Sequence, residues 1–164
     1  MRLARKVNLS KWRQHETAGI DCIPADAITN DLKTFGNTLS FWRVKEDAEG
    51  LDNAMLAILG SQERIDKLDI AIIPANFMAD DRLLVDTPGK TCFTSLETLH
   101  VDLSFLNSEH LAAVARALAA CVYNNQTTKV ARADFTSRIK AGISLHKVPP
   151  SQVSESVRKE LKLV

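Results

Sequence analysis

The sequence is short of most features that would announce a function. Cysteine occurs three times, at Cys22, Cys92 and Cys121. The number is odd, the spacings are wide and no Cys-x-x-Cys pair exists, which argues against a disulfide framework and a zinc ribbon. Three buried free thiols are expected instead. Glycine and proline are scarce, six and five in 164 residues, so the chain does not read as disordered. Aromatic residues make up only 5%, few for a surface that stacks nucleic-acid bases. No apolar run is long enough to cross a bilayer: the best, 68–79, is interrupted by Asp69 and Asn76. No apolar stretch follows Arg2, Arg5 and Lys6, so no signal peptide is expected. These absences point to a cytoplasmic protein with no membrane partner.

What is present is ordinary in amount and uneven in placement. The chain is 45% apolar and 25% charged, the composition of one globular domain. A domain of this length buries roughly 70% of the surface of its unfolded chain and needs no metal or disulfide to fold. The formal net charge of +1 hides a segregation. Residues 1–15 carry +5, residues 129–164 carry +5, and the middle carries −9. Such ends either fold back on the acidic body or reach an acidic partner or nucleic acid.

Periodicity gives a coarse order of elements. Residues 1–15 read as a strand or an arm anchored by Leu3, Val7, Leu9 and Trp12. Pro24 suits the first turn of a short helix through Leu32, and Phe35-Gly36-Asn37 punctuates. The alternation at 38–44 predicts a strand with Leu39, Phe41 and Val44 inward. Leu51, Met55, Ile58 and Leu59 share one face of a helix over 51–62. A buried strand over 68–73 ends at Pro74. Another short strand over 83–85 closes at Thr87-Pro88-Gly89. The clearest strand signal is 98–105, with Leu99, Val101, Leu103 and Phe105 on one face and His100, Asp102 and Ser104 on the other. A helix follows, capped by Asn107 or Ser108, striped by Leu111, Val114, Ala115, Leu118 and Val122, and ended by Asn124-Asn125. A helix over 130–141 places Phe135 and Ile139 inward. After Pro149-Pro150, Ser151 is expected to cap a last helix with Val153, Val157 and Leu161 on one side.

Strands and helices do not alternate strictly. The expected class is therefore α+β: a mainly antiparallel or mixed sheet, helices on one face, and a C-terminal helical segment. Residues 1–148 form one domain with a basic N-terminal arm. Residues 149–164 form a basic helix docked on that domain or on a partner.

Candidate chemistry is sparse. Leu84-Val85-Asp86-Thr87-Pro88-Gly89 resembles the Asp-Thr-Pro-Gly segment of GTPases, in which the Asp works on magnesium and the Gly amide meets the γ-phosphate. That resemblance implies a preceding Gly-x-x-x-x-Gly-Lys-Ser/Thr loop, and residues 1–83 hold none. The segment reads as a Pro-Gly turn after a strand. His100, Asp102 and Ser104 share a strand face, but residues two apart lie about 7 Å from each other, beyond hydrogen-bond reach. His100, Asp102 and Asp86 remain the weak catalytic candidates. His15 with Cys22, and His110 with Cys121, lack the close spacing of metal ligands, and no metal or cofactor is expected. His146 is expected to be exposed. The acids at Glu46, Asp47, Glu49, Asp66, Asp80 and Asp81 read as solvated loops.

The leading expectation is a non-enzymatic protein-protein interaction module, an accessory or regulatory subunit of immunity type, whose partner is another protein or a second copy. Its expected partner-binding residues are Arg2, Arg5, Lys6, Lys11, Trp12, Arg13, Arg158, Lys159 and Lys162. A nucleic-acid-associated accessory protein using the same basic ends is the alternative. An enzyme with a site assembled from dispersed residues is the third.

Overall fold

The structure is a computed structural model that describes residues 1–77 and 83–163. The Asp80-Asp81 pair lies outside the described residues, as does Val164. Among the described residues six strands form one sheet: β1 (Arg2–Val7), β2 (Leu39–Val44), β3 (Leu68–Pro74), β4 (Leu84–Asp86), β5 (His100–Leu103) and β6 (Thr128–Val130). Their order is β4-β5-β2-β1-β3-β6, and every neighbouring pair is antiparallel. The helices are α1 (Leu9–Trp12), α2 (Ala25–Asp31), α3 (Gly50–Gly60), α4 (Ser108–Tyr123), α5 (Arg132–Leu145) and α6 (Glu155–Leu161). The α+β class is what the sequence predicts.

Two features differ from expectation. The basic N-terminal segment is no arm: β1 is an inner strand, paired with β2 on one side and β3 on the other. Helices cover both faces of the sheet rather than one. The inner strands carry apolar residues at both parities, so neither face can be left wet. Leu3, Phe41, Ala71 and Ile73 join a core built with Trp12, Ala27 and Leu118, from α1, α2 and α4. Ala4, Trp42, Val44 and Ile70 join the opposite core with Ile58, Phe135 and Leu161, from α3, α5 and α6.

Local signals explain several boundaries. Asn107 caps α4 reciprocally: its side chain accepts from the His110 N–H at 2.9 Å, and His110 Nδ1 accepts from the Asn107 N–H at 3.2 Å. His110 is thereby a capping residue, remote in role from Cys121. The final helix starts later than predicted. Pro150–Gln152 makes a 3-10 turn, and Ser154 caps α6. Ser154 also donates to the Glu63 carbonyl at 3.0 Å, tying the helix to the loop after α3. Val153, Val157 and Leu161 are all buried, so the C-terminal segment docks on its own domain. The strand predicted over 98–105 shrinks to four residues. Thr94–Leu99 winds a 3-10 turn with Leu96 and Leu99 buried three apart, and Phe105, at φ +58°, turns the chain out of the sheet.

Candidate functional site

The structure brings His100 and Asp102 together and leaves Asp86 apart. In β5 both side chains lie on the α3 face, opposite Trp42 and Ser40 of β2. Thr87 bridges them. Its hydroxyl donates to Asp102 Oδ2 at 2.8 Å, its oxygen lies 3.0 Å from His100 Nδ1, and its carbonyl lies 2.9 Å from the same nitrogen. One hydroxyl proton cannot serve both partners. The set is satisfied when Thr87 donates to Asp102 and His100 carries its proton on Nδ1, donating to the Thr87 carbonyl. Ser40 donates to Asp102 Oδ1 at 2.8 Å, so it turns to the acid rather than to the histidine. Trp42 meets the His100 ring edge-on at 5.0 Å, and Gly89 seats so closely that an added Cβ would lie 2.6 Å from the indole. Asp86 points to the other face and pairs with Arg43. This is a closed network that pins the β4–β5 corner. In that arrangement the Thr87 hydroxyl proton goes to Asp102 rather than to the histidine.

The expected basic surface does not assemble either. Trp12 is 0% exposed, and its indole Nε1 donates to Asp31 Oδ2 at 2.6 Å. It is a core anchor with nothing left for a partner. Arg5 is half-buried and donates to the carbonyls of Asp31 and Ser40. Burial pulls its pKa down to about 10, against the opposing pull of Asp31 and Asp102. Lys11 pairs with Asp26 at 2.8 Å, a contact that holds the Asp26 carboxyl below its usual range through the hydrogen bond and then the charge of Lys11. Arg13 reaches Asn125 at 2.6 Å, Lys6 reaches Gln62 at 3.0 Å, and Lys159 pairs with Glu155 at 2.5 Å one turn away. Lys162, at φ +56°, closes α6, and Arg158 is half-buried. Arg2 and Lys6 emerge on the face that α6 covers, whereas Lys11 and Arg13 lie with α1 on the opposite face. The bases of the two ends therefore do not all share one face.

The cysteines divide. Cys92 and Cys121 are buried, and burial pushes the Cys92 thiol up to about 11 and the Cys121 thiol up as well. Cys22 is exposed, contrary to expectation, and its sulfur lies 3.9 Å from His15 Nδ1. The pair meets after all, but among the described residues no group of three or more His, Cys, Asp or Glu could hold a metal ion. His146 is half-buried rather than exposed, with Nδ1 3.0 Å from Ser95 Oγ and its ring edge-on to Phe93. Since the thiolate is the reactive form, a thiol reagent at pH 8 is expected to label the native protein at Cys22 alone. All three thiols should react in denaturant. Labelling of Cys92 or Cys121 in the native state at a comparable rate would contradict the packing.

The most unusual surface feature is one the sequence reading passed over. Phe35 is 92% exposed and Phe105 80% exposed. Phe35 opens a two-residue turn, with Gly36 and Asn37 both left-handed at φ +58° and +57° and the Thr38 N–H donating to the Phe35 carbonyl at 3.1 Å. The Asn37 carbonyl then accepts from the Leu106 N–H at 3.2 Å, which ties this turn to the loop carrying Phe105. Two phenylalanines thus project from adjoining, hydrogen-bonded loops. The signal for Phe35 was its place before Gly-Asn. Phe105 gave none, because it continues the apolar alternation of β5.

Among the described residues, no helix is long and apolar enough to cross a membrane. Compared with protein-family models, curated proteins and solved structures, the chain matches none.

Proposed function

We propose that the chain is a non-enzymatic interaction protein, an accessory or regulatory subunit, that docks on a partner protein by inserting Phe35 and Phe105 into an apolar cleft. The observation that carries this reading is the paired exposure of the two rings on loops fixed to each other. Exposed phenylalanine is a cost in water, and Phe105 also occupies a left-handed backbone conformation that costs a non-glycine residue about 1 kcal/mol. A partner that buries the rings offsets that cost. The two side chains offer on the order of 350 Å². A specific interface buries roughly 800 Å² on each partner, so the tip suits the centre of a larger contact. Its rim is polar and balanced: Lys33 and Thr34 beside Phe35, Ser108 and Glu109 beyond Phe105. A membrane-inserting tip would be served by a basic rim, and this one is not basic. The nucleic-acid reading is less favoured, because Lys11 and Arg13 lie on the face opposite α6 and Arg5 and Lys159 are held by partners within the chain.

The test is capture from the native cell by the tagged chain, by a variant carrying Phe35→Ser and Phe105→Ser, and by Leu145→Ser as a control at a separate exposed position, 77% exposed. The wild type and the control are expected to retain one partner in stoichiometric amount. The double variant should lose it by about thirtyfold or more, with thermal stability preserved, as loss of a binding hot spot requires. Retention by the double variant, or recovery of the chain alone in every case, would contradict the proposal.

A further inference from the structure

His15 and Cys22 stand seven residues apart in sequence, and the loop between them folds them together. The 3-10 turn Arg13–Ala18 ends at Gly19, whose φ of +85° reverses the chain. The Gly19 N–H donates to the Glu16 carbonyl at 3.3 Å, and the Cys22 N–H donates to the Gly19 carbonyl at 3.1 Å. Cys22 Sγ is thereby held 3.9 Å from His15 Nδ1, with both residues exposed. That separation is close to the one a zinc ion imposes. Bonds of about 2.3 Å to sulfur and about 2.05 Å to nitrogen, at a tetrahedral angle, set the two ligand atoms about 3.6 Å apart. Small rotations of two exposed side chains close the difference. A thiolate with an imidazole is also a pair that suits zinc.

A structural zinc site takes four ligands. Among the described residues no third His, Cys, Asp or Glu joins this pair, and Glu16 turns to Arg13 at 3.9 Å. The chain therefore holds half of a Cys2His2 set, and a second copy has the other half. The loop admits that copy. Thr17, Ala18 and Ile20 are exposed, and a Cβ built on Gly19 would meet nothing within 4 Å. Small side chains let two such loops approach closely, and Ile20 gives each an apolar contact. Residues 14–22 carry two acids, Glu16 and Asp21, and no Lys or Arg. Two copies of the loop repel each other unless a cation lies between them.

We propose that His15 and Cys22 are half of a zinc site that two copies of the chain complete, one ion joining them through two thiolates and two imidazoles. Each thiol gives its proton to solvent as its sulfur binds the ion. The Tyr123 hydroxyl donates to the Trp12 carbonyl and Arg13 reaches Asn125, so this loop lies at the C-terminal end of α4. Phe105 precedes the other end of that 16-residue helix, about 24 Å away. The zinc site is independent of the Phe35–Phe105 tip, and either can fail without the other.

Sedimentation equilibrium of the full chain tests it, first in EDTA and then in zinc chloride, with a phosphine reductant present so that no disulfide forms. The mass is expected to be 18.1 kDa in EDTA and to double when half an equivalent of zinc per chain is added. Cobalt in place of zinc should give a thiolate-to-metal charge-transfer band and the strong visible absorption of a tetrahedral ion. Zinc should also slow the labelling of Cys22 by a thiol reagent at least about tenfold. Cys22→Ser and His15→Asn, each at an exposed position, should keep the thermal stability of the metal-free chain and stay monomeric in zinc. The Phe35→Ser, Phe105→Ser variant should dimerise like the wild type. A wild-type chain that stays monomeric in excess zinc, or that dimerises in EDTA, would overturn the proposal. Zinc-driven dimers of Cys22→Ser or His15→Asn would overturn it too.

Discussion

Replacing Asp31 by Ala is expected to destabilise the fold by about 3 kcal/mol. Asp31 ends α2 and holds three donors at once. Its Oδ2 accepts from the Asn8 N–H at 2.7 Å and from Trp12 Nε1 at 2.6 Å, and its Oδ1 accepts from Asn30 at 2.6 Å. The Trp12 indole is fully buried, so alanine at position 31 leaves a buried donor without an acceptor. The same carboxylate lies beside Arg5, whose buried charge it helps to sustain. Asp31→Asn keeps one acceptor oxygen and should cost about half as much. Urea unfolding of both variants measures the difference. Equal and small losses, under about 0.5 kcal/mol, would mean that α1 is held by packing alone.

Gly50→Ala is the second large effect, and its cause is steric. Gly50 opens α3, where the 45–49 loop folds over the helix start. An added Cβ would land on the Lys45 carbonyl oxygen and lie 2.7 Å from its carbon and 2.9 Å from its nitrogen. All three obstacles are backbone, so no side chain can swing aside. The loop must move, and a loss of about 3 kcal/mol is expected, at the upper end of overpacking. Ala54, fully buried later in α3, shows that the helix otherwise accommodates alanine on its packed face. The same denaturation experiment serves, with a midpoint shift at unchanged slope as the expected signature.

Periodic segments were legible in the sequence, and cooperative geometry was not. β2, β3, α3 and α4 stand close to where alternation and the apolar stripes place them, because each element's own residues decide it. β6 is three residues long and too short for any period to show. The second layer of helices was readable in principle. Leu3-Ala4, Phe41-Trp42 and Ile72-Ile73 put apolar side chains on both faces, and a sheet with two apolar faces needs two covers. The nine expected partner-binding residues were chosen for charge and tryptophan. Where each charge goes depends on contacts distant in sequence, such as Arg13 with Asn125 or Trp12 with Asp31. His100 and Asp102 looked unconnected for a related reason: Thr87, which joins them, sits 13 residues before the histidine in sequence. Phe105 was misplaced because one left-handed residue ends a strand that its apolar character would continue.

The central claim is that Phe35 and Phe105 form the contact surface of an interaction protein. A photo-reactive phenylalanine analogue placed at position 35, at position 105 or at Leu145 tests it most directly, with irradiation in the native cell. The account predicts cross-links to one and the same protein from positions 35 and 105, and none from 145. Cross-links to lipid, to a second copy of this chain, or to no common protein from the two tip positions would contradict it.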